Sequence, residues 1–327
     1  MTELRWAVVG TGAISTQIVD DLALVRGAAI AAVVSRDAGR ARQFAQKHHI
    51  EHAGDLSQIL QRDDIDVVYV ATPYATHHSL ARTALLAGKH VVVEKPATLN
   101  AAEMADLIQL AQATGAFLIE AMWMKFNPAY RELRRLLADG LIGEVRSVRA
   151  SFGIPFPRDE SSRWNAELHG SALLDQGIYP ITLARDVLGT PDGIHASGTR
   201  AHGLDLSQHA TFDYQDGRFA QLASSMTEFV DPTAAISGTR GWVSIPFPFW
   251  AGTRFTAHVP QGEDFMATQE FCAPREGHGY VPMLREINIA ILQGHQEHPW
   301  HRWQDTIDIF VLMENIQQQY SLSGAPG

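Results

Sequence analysis

Lys95, Asp175 and Tyr179 are the residues whose types could together move a proton during hydride transfer. Taking a hydride from an alcohol carbon requires the hydroxyl proton to leave as well. A tyrosine, with a pKa near 10, is a weak base at neutral pH unless a neighbouring cation favours the tyrosinate. A lysine supplies that cation. Asp175-Gln176-Gly177-Ile178-Tyr179 lies in a helix-like run, so the i, i+4 spacing puts Asp175 and Tyr179 on one face. Lys95 follows the apolar run His90-Val91-Val92-Val93 and stands in Glu94-Lys95-Pro96. Such a run suits a strand covered on both faces, and in open α/β sheets ligands sit at the carboxyl ends of the strands. Pro96 biases Lys95 towards extended backbone. Taken alone, Lys95 fits a solvated strand end equally well, and Tyr179 an ordinary half-buried helix tyrosine. Glu94 either supports Lys95 or touches a nicotinamide ribose, and the residues leave both open.

A nucleotide signal upstream decides between these readings. Gly10-Thr11-Gly12-Ala13-Ile14-Ser15 follows a first strand and opens a first helix. Gly10 permits the tight turn, and Gly12 lets the backbone approach a pyrophosphate. Ala13 and Ile14 begin the helix whose N-terminus attracts it, and Ser15 stands where a third glycine is usual. At the end of the second strand comes Ser35-Arg36-Asp37, with Arg40 one turn on. A hydroxyl and guanidinium groups suit a 2′-phosphate, which an acid would repel, so NADP is the expected cofactor, with NAD the alternative that Asp37 keeps open. Thr72, Pro73 and His77, with Glu94 and Lys95, are placed on the nicotinamide side, although Ala71-Thr72-Pro73 also suits a plain strand-to-helix turn.

Substrate contacts are assigned to Trp123, Phe156, Arg163, Trp164 and His169, as an apolar wall with polar contacts to hydroxyls. Core packing and loop lining explain the same residues. His295, His298 and His301 recur every third residue around Pro299. The proline makes convergence on one ion unfavourable, so no metal site is expected. No GxSxG hydrolase elbow is present.

These residues need elements to hold them. Residues 1–121 alternate short apolar strands with helices, which gives a doubly wound parallel sheet of the Rossmann kind. From residue 122 to 327 the periodicity changes: a long strand Gly143 to Phe152, a helical run Ser171 to Leu188, strands from Ile194 to Val259 with a hairpin at Gln215-Asp216-Gly217, and two closing helices. The expected fold class is therefore α/β, with an N-terminal Rossmann domain and a C-terminal α+β domain whose mostly antiparallel sheet has one open face. The last helix is able to pack back on the first domain. With 327 residues, 46% hydrophobic, the chain can fill two cores. Its net charge of −10, with scattered Lys and Arg, argues against nucleic-acid or anionic-membrane partners. The single cysteine, Cys272, no signal-type h-region and no apolar run near bilayer length suggest a cytoplasmic protein with a small-molecule partner.

Read together, Gly10 to Ser15, Ala71-Thr72-Pro73 with His77, Ala87-Gly88-Lys89-His90-Val91 running into Glu94-Lys95-Pro96, and Leu174 to Tyr179 make the chain resemble the glucose–fructose oxidoreductase / inositol dehydrogenase / MocA family over nearly its whole length. Glu120-Ala121-Met122-Trp123, Asn127-Pro128 and Gly140-Leu141-Ile142-Gly143-Glu144-Val145 are similar to the branch of dimeric dihydrodiol dehydrogenases and NADP-dependent D-xylose dehydrogenases. The resemblance implies Lys95 as active-site lysine, Tyr179 as catalytic tyrosine and Asp175 as the motif aspartate that organises substrate and acid/base group. It also implies Trp123 on the substrate side, and a homodimer or higher homo-oligomer through the open C-terminal sheet. His169-Gly170-Ser171 departs from the branch's glycine-rich stretch and puts the substrate pocket in question. The expected function is hydride transfer between NADP(H) and a CH–OH or carbonyl group of a sugar, cyclic polyol or trans-dihydrodiol. A non-catalytic NADP(H) sensor or scaffold, and an enzyme working mainly as a carbonyl or imine reductase, are the alternatives.

Overall fold

The computed structural model describes residues 3–158, 162–262 and 267–322. Its first half runs β1 (Leu4–Val9), α1 (Ala13–Leu22), β2 (Ala28–Val34), α2 (Ala38–His48), β3 (His52–Gly54), α3 (Leu56–Leu60), β4 (Val67–Val70), α4 (His77–Leu86), β5 (His90–Glu94), α5 (Ala101–Thr114) and β6 (Leu118–Ala121). All pairings among these strands are parallel, in the order β3-β2-β1-β4-β5-β6. This is the doubly wound arrangement whose crevice opens at the carboxyl ends of the strands. Val67 to Val70 and Val91 to Val93 are wholly buried, as strands covered on both faces should be. β3 escapes the sequence reading because three residues carry too little periodicity. Asn100 caps α5 through the Glu103 N–H, and Glu103 returns a carboxylate to the Leu99 N–H.

The second half runs α6 (Pro128–Ala138), β7 (Val145–Gly153), α7 (Ile178–Leu188), β8 (Gly193–Ala201), β9 (Leu204–Asp213), β10 (Phe219–Ser225), β11 (Ala234–Gly238), β12 (Trp242–Ile245), β13 (Arg254–His258), β14 (Thr268–Cys272), α8 (Val281–Leu292) and α9 (Trp303–Leu322). The strands form an eight-stranded sheet, β14-β13-β12-β11-β7-β10-β9-β8, antiparallel throughout except between β7 and β10. Val148, Ala150, Phe212, Leu222 and Ile236 point to the buried face, where α7 packs on β7 and β10. The intervening Arg149, His209 and Gln221 face outward and are exposed. The mixed α/β class and the open-faced antiparallel sheet agree with the sequence reading. β14 extends the sheet past Val259, where the reading stopped, and residues 159–161 of the irregular stretch lie outside the described residues. The helix expected over Ser171 to Leu188 is not continuous: Leu173–Gly177 form a wide π turn, and α7 starts only at Ile178.

Two compact units emerge, Met1–Phe126 with Arg275–Ile307, and Asn127–Pro274 with Asp308–Gly327. The first unit thus takes in a late segment that a single cut at residue 121 assigns to the other half. Polar ties hold this segment. Asp21 of α1 is fully buried, and its carboxylate accepts the N–H groups of His278 (2.7 Å) and Tyr280 (2.8 Å). Asn288 of α8 donates to the Gly27 carbonyl at 2.9 Å, and Trp303 donates its indole N–H to the Leu118 carbonyl at 2.8 Å. Such ties depend on folding and leave no periodicity in the sequence.

Candidate functional site

In the first unit the turn after β1 has the shape that a pyrophosphate needs. Gly10 has φ +121°, and a Cβ there would strike the Ala71 carbonyl, so only glycine fits. Its N–H donates to the Val34 carbonyl at 2.9 Å. Gly12 begins α1 with no side-chain cap and no acid in the first turn, and nothing lies within 4 Å of where its Cβ would be. The first-turn N–H groups, at Ala13 and Ile14, therefore carry the positive end of the helix dipole without a side-chain cap. Ser15 is wholly buried, and its hydroxyl has no partner among the described residues. An uncapped helix start behind an obligatory glycine fits a dinucleotide.

At the end of β2, Asp37 serves as a helix cap. Its carboxylate caps α2, accepting the Arg40 N–H at 2.9 Å, and lies 3.6 Å from Arg40 Nε. The bond from the Arg40 backbone is the main cause holding this carboxyl below its ordinary range. Ser35 Oγ accepts the Asp37 N–H at 3.2 Å. Arg36 is exposed and makes no hydrogen bond or ion pair among the described residues. Asp37 thus caps α2 and pairs with Arg40, while the Arg36 guanidinium is exposed.

The ends of β4 and β5 are joined by buried side chains. His77, at the start of α4, is 1% exposed, with Nδ1 2.9 Å from the Pro96 carbonyl oxygen and Nε2 2.7 Å from that of Thr72. Both ring nitrogens are thereby taken by main chain. Burial pulls the imidazole below its usual pKa, against the effect of the two carbonyls. Thr76 Oγ1 lies 2.8 Å from Thr72 Oγ1 and from the Pro73 carbonyl, which fixes the loop between. Glu94 accepts the Tyr69 hydroxyl at 2.6 Å and the Lys95 N–H at 3.0 Å. Burial raises its carboxyl to about 7, despite the Tyr69 hydrogen bond. The Lys95–Pro96 peptide is cis. Glu120, at the end of β6, accepts the Ala97 N–H at 3.0 Å and meets His301 Nε2 at 2.9 Å. Trp123 is 8% exposed and packs on Tyr280, ring centroids 5.2 Å apart.

In the second unit Asp175 sits on the wide turn. Arg163 Nε donates to its carboxylate at 2.6 Å, and the guanidinium lies 3.8 Å over the Phe156 ring. The start of the turn is held by Asp205, which accepts the Ser171 hydroxyl (2.7 Å) and the Leu173 N–H (2.9 Å). Tyr179, in the first turn of α7, is buried, with its ring centroid 6.0 Å from those of both Phe152 and Trp250. Phe152 and Trp250 stack at 3.5 Å and 9°, and Phe247 and Phe249 meet Trp250 edge-on. Trp164 donates to the Pro157 carbonyl at 2.7 Å and lies under Arg158. His169 is exposed at φ +60°, closing a short turn. The structure thus gathers Asp175, Arg163 and Phe156 into one cluster. Phe152 and Trp250 were missed from sequence; the aromatic run Phe247-Pro248-Phe249-Trp250 was the signal available. Tyr69 and Glu120 were missed too, and nothing in their spacing points to their partners. Among the described residues no group of three potential ligands could hold a metal ion.

Strand order, glycine turn and uncapped helix define a dinucleotide-binding protein of the Rossmann class. Residues 4–122 match the "Oxidoreductase family, NAD-binding Rossmann fold" and residues 130–244 the "GFO/IDH/MocA C-terminal domain". The chain belongs to the GFO/IDH/MocA family and is an NAD(P)-dependent oxidoreductase. It is 35% identical over 330 residues to the trans-1,2-dihydrobenzene-1,2-diol dehydrogenase of Sus scrofa, covering 96% of each chain. Its backbone matches KijD10, a 3-ketoreductase from Actinomadura kijaniata in complex with NADP and TDP-benzene, at a TM-score of 0.86 and 27% identity over 98% of each chain. The aldose-aldose oxidoreductase from Caulobacter crescentus, complexed with glycerol, shares the fold at a TM-score of 0.87 and 23% identity over 98% of each chain.

Proposed function

We propose that this chain is an NADP-dependent dehydrogenase that transfers hydride between the nucleotide and a CH–OH or carbonyl carbon of a trans-dihydrodiol, cyclic polyol or sugar. The observation that carries the substrate class is Tyr179 beside the stacked Phe152–Trp250 pair. An aromatic cluster around Tyr179 suits a ring that bears hydroxyl groups. NADP, when bound, accepts or returns the hydride. Tyr179 takes the substrate's hydroxyl proton, and Lys95 supplies the cation that favours the tyrosinate. Asp175 keeps Arg163 in place through the 2.6 Å ion pair and so orients the substrate-side loop. In this reading Trp123, Phe156, Trp164 and His169 line the substrate side, while Gly10, Gly12, Ala13, Ile14, Thr72 and Pro73 hold the nucleotide by its backbone-facing parts. Ser35, Arg36 and Arg40 receive the 2′-phosphate, with NAD as the weaker alternative. NADP is also the nucleotide named with the 3-ketoreductase relative.

Residues 1–121 are assigned to the nucleotide and 122–327 to substrate and self-association, although the segment Arg275–Ile307 packs within the first unit. The outward face of the eight-stranded sheet bears a shallow depression of about 450 Å³ lined by Arg149, His209, Thr211, Gln221 and Thr233. Through this face we assign a homodimer. No helix among the described residues is long and apolar enough to cross a membrane, and a cytoplasmic location is assigned with the small-molecule substrate. Reduction of the matching carbonyl uses the same residues in reverse. Absorbance at the nicotinamide band with a panel of trans-dihydrodiols, cyclic polyols and aldoses, each tested with NADP and NAD, checks the proposal. NADP-linked turnover of at least one ring compound is expected. No change with any of them, in either direction, would remove it.

A further inference from the structure

The peptide unit between Pro96 and Ala97 lies one residue beyond Lys95, and buried side chains bind both of its polar groups. Its carbonyl oxygen lies 2.9 Å from His77 Nδ1, and its N–H donates to Glu120 Oε1 at 3.0 Å. His77 and Glu120 are each 1% exposed. On the other side of the lysine, Glu94 holds the Lys95 N–H and is itself held by the Tyr69 hydroxyl. Both outer partners reach further. His77 Nε2 lies 2.7 Å from the Thr72 carbonyl, and the second oxygen of Glu120 meets His301, which also touches Thr306 Oγ1 at 3.1 Å. Burying two titratable side chains is costly, and a peptide group facing solvent would need neither of them. Nothing in the ladder of a parallel sheet requires them at this place.

We infer that His77 and Glu120 clamp the Pro96–Ala97 peptide and thereby position Lys95, with His77 coupling this clamp to the Thr72 loop. The role rests on the reading of Lys95 as a catalytic residue given above. His77 and Glu120 are positioning residues, since they act through the main chain. A neutral imidazole donates from one nitrogen only, so the two carbonyls compete for its proton. The two nitrogens can be separated by substitution. The amide nitrogen of asparagine can stand where Nδ1 does, and that of glutamine where Nε2 does.

The test compares His77→Ala, His77→Asn and His77→Gln in the full chain. His77→Ala should lower kcat about tenfold and weaken NADPH binding by less than that. His77→Asn, which keeps a donor for Pro96, should recover most of that loss, and His77→Gln should not. Equal kcat in the asparagine and glutamine variants, or a loss confined to NADPH affinity, would overturn the clamp. Amide hydrogen exchange at Lys95 and Ala97 reads the clamp without turnover. Exchange should quicken in His77→Ala and His77→Gln and remain protected in His77→Asn. Identical exchange in all three would overturn the inference even if the chain were active. Should the wild type turn over no ring compound, the functional reading fails and the exchange result alone decides the clamp.

Discussion

At the scale of single residues, burial and hydrogen bonding decide what the charged groups do. Glu94 shows this best. In the unfolded chain its carboxyl titrates near 4.5, whereas in the fold burial lifts it to about 7. Between those values the folded state binds the proton and the unfolded state does not. Its contribution to stability is therefore fully present below about pH 4.5 and is lost as pH rises through about 7, by at most about 3 kcal/mol. Urea denaturation at pH 5 and pH 8 should show a smaller difference in Glu94→Gln than in the wild type. An identical difference in the two proteins would refute it. In the proposed function Arg36 carries the nucleotide preference, since Asp37 serves as a helix cap. Arg36→Ala should weaken NADP binding at least about tenfold and NAD binding less than about threefold, read by fluorescence titration. Equal weakening of both would mean that another group meets the 2′-phosphate. Sequence alone shows the arginine but not the fate of the acid, since only the folded backbone brings the Arg40 N–H to Asp37.

At the scale of elements, regular features were legible and irregular ones were not. The glycine turn and the apolar strands follow local rules, so they were visible in short windows of sequence. The wide turn at Leu173–Gly177 breaks those rules: it reads as helix, yet its backbone bonds span five residues, and Asp205 from β9 secures its start. Because Asp175 lies on this turn and Tyr179 in the α-helix after it, their i, i+4 spacing does not by itself put them on one face. The turn is closely packed at Gly177, where a Cβ would lie 2.8 Å from Gln208 Nε2 and 3.0 Å from Ser224 Oγ. Gly177→Ala should therefore cost about 1–3 kcal/mol in urea denaturation. An unchanged midpoint would show that the turn has room to spare. The aromatic shelf of Phe152 and Trp250 is another non-local product, built from β7 and the loop after β12.

At the scale of the whole molecule, the change of periodicity marked the passage from parallel to antiparallel sheet, but the segment Arg275–Ile307 belongs to the first unit through bonds such as those of Asp21 and Asn288. Light scattering should give twice the mass of one chain, and Ala223→Arg on the outward sheet face should give monomer; a wild-type monomer at micromolar concentration would remove the proposed dimer. The central claim, that Tyr179 accepts the substrate's proton during NADP-linked hydride transfer, is tested most directly by Tyr179→Phe. Its kcat should fall at least about 100-fold while the NADPH Kd stays within about twofold. Wild-type turnover in that variant would contradict the account.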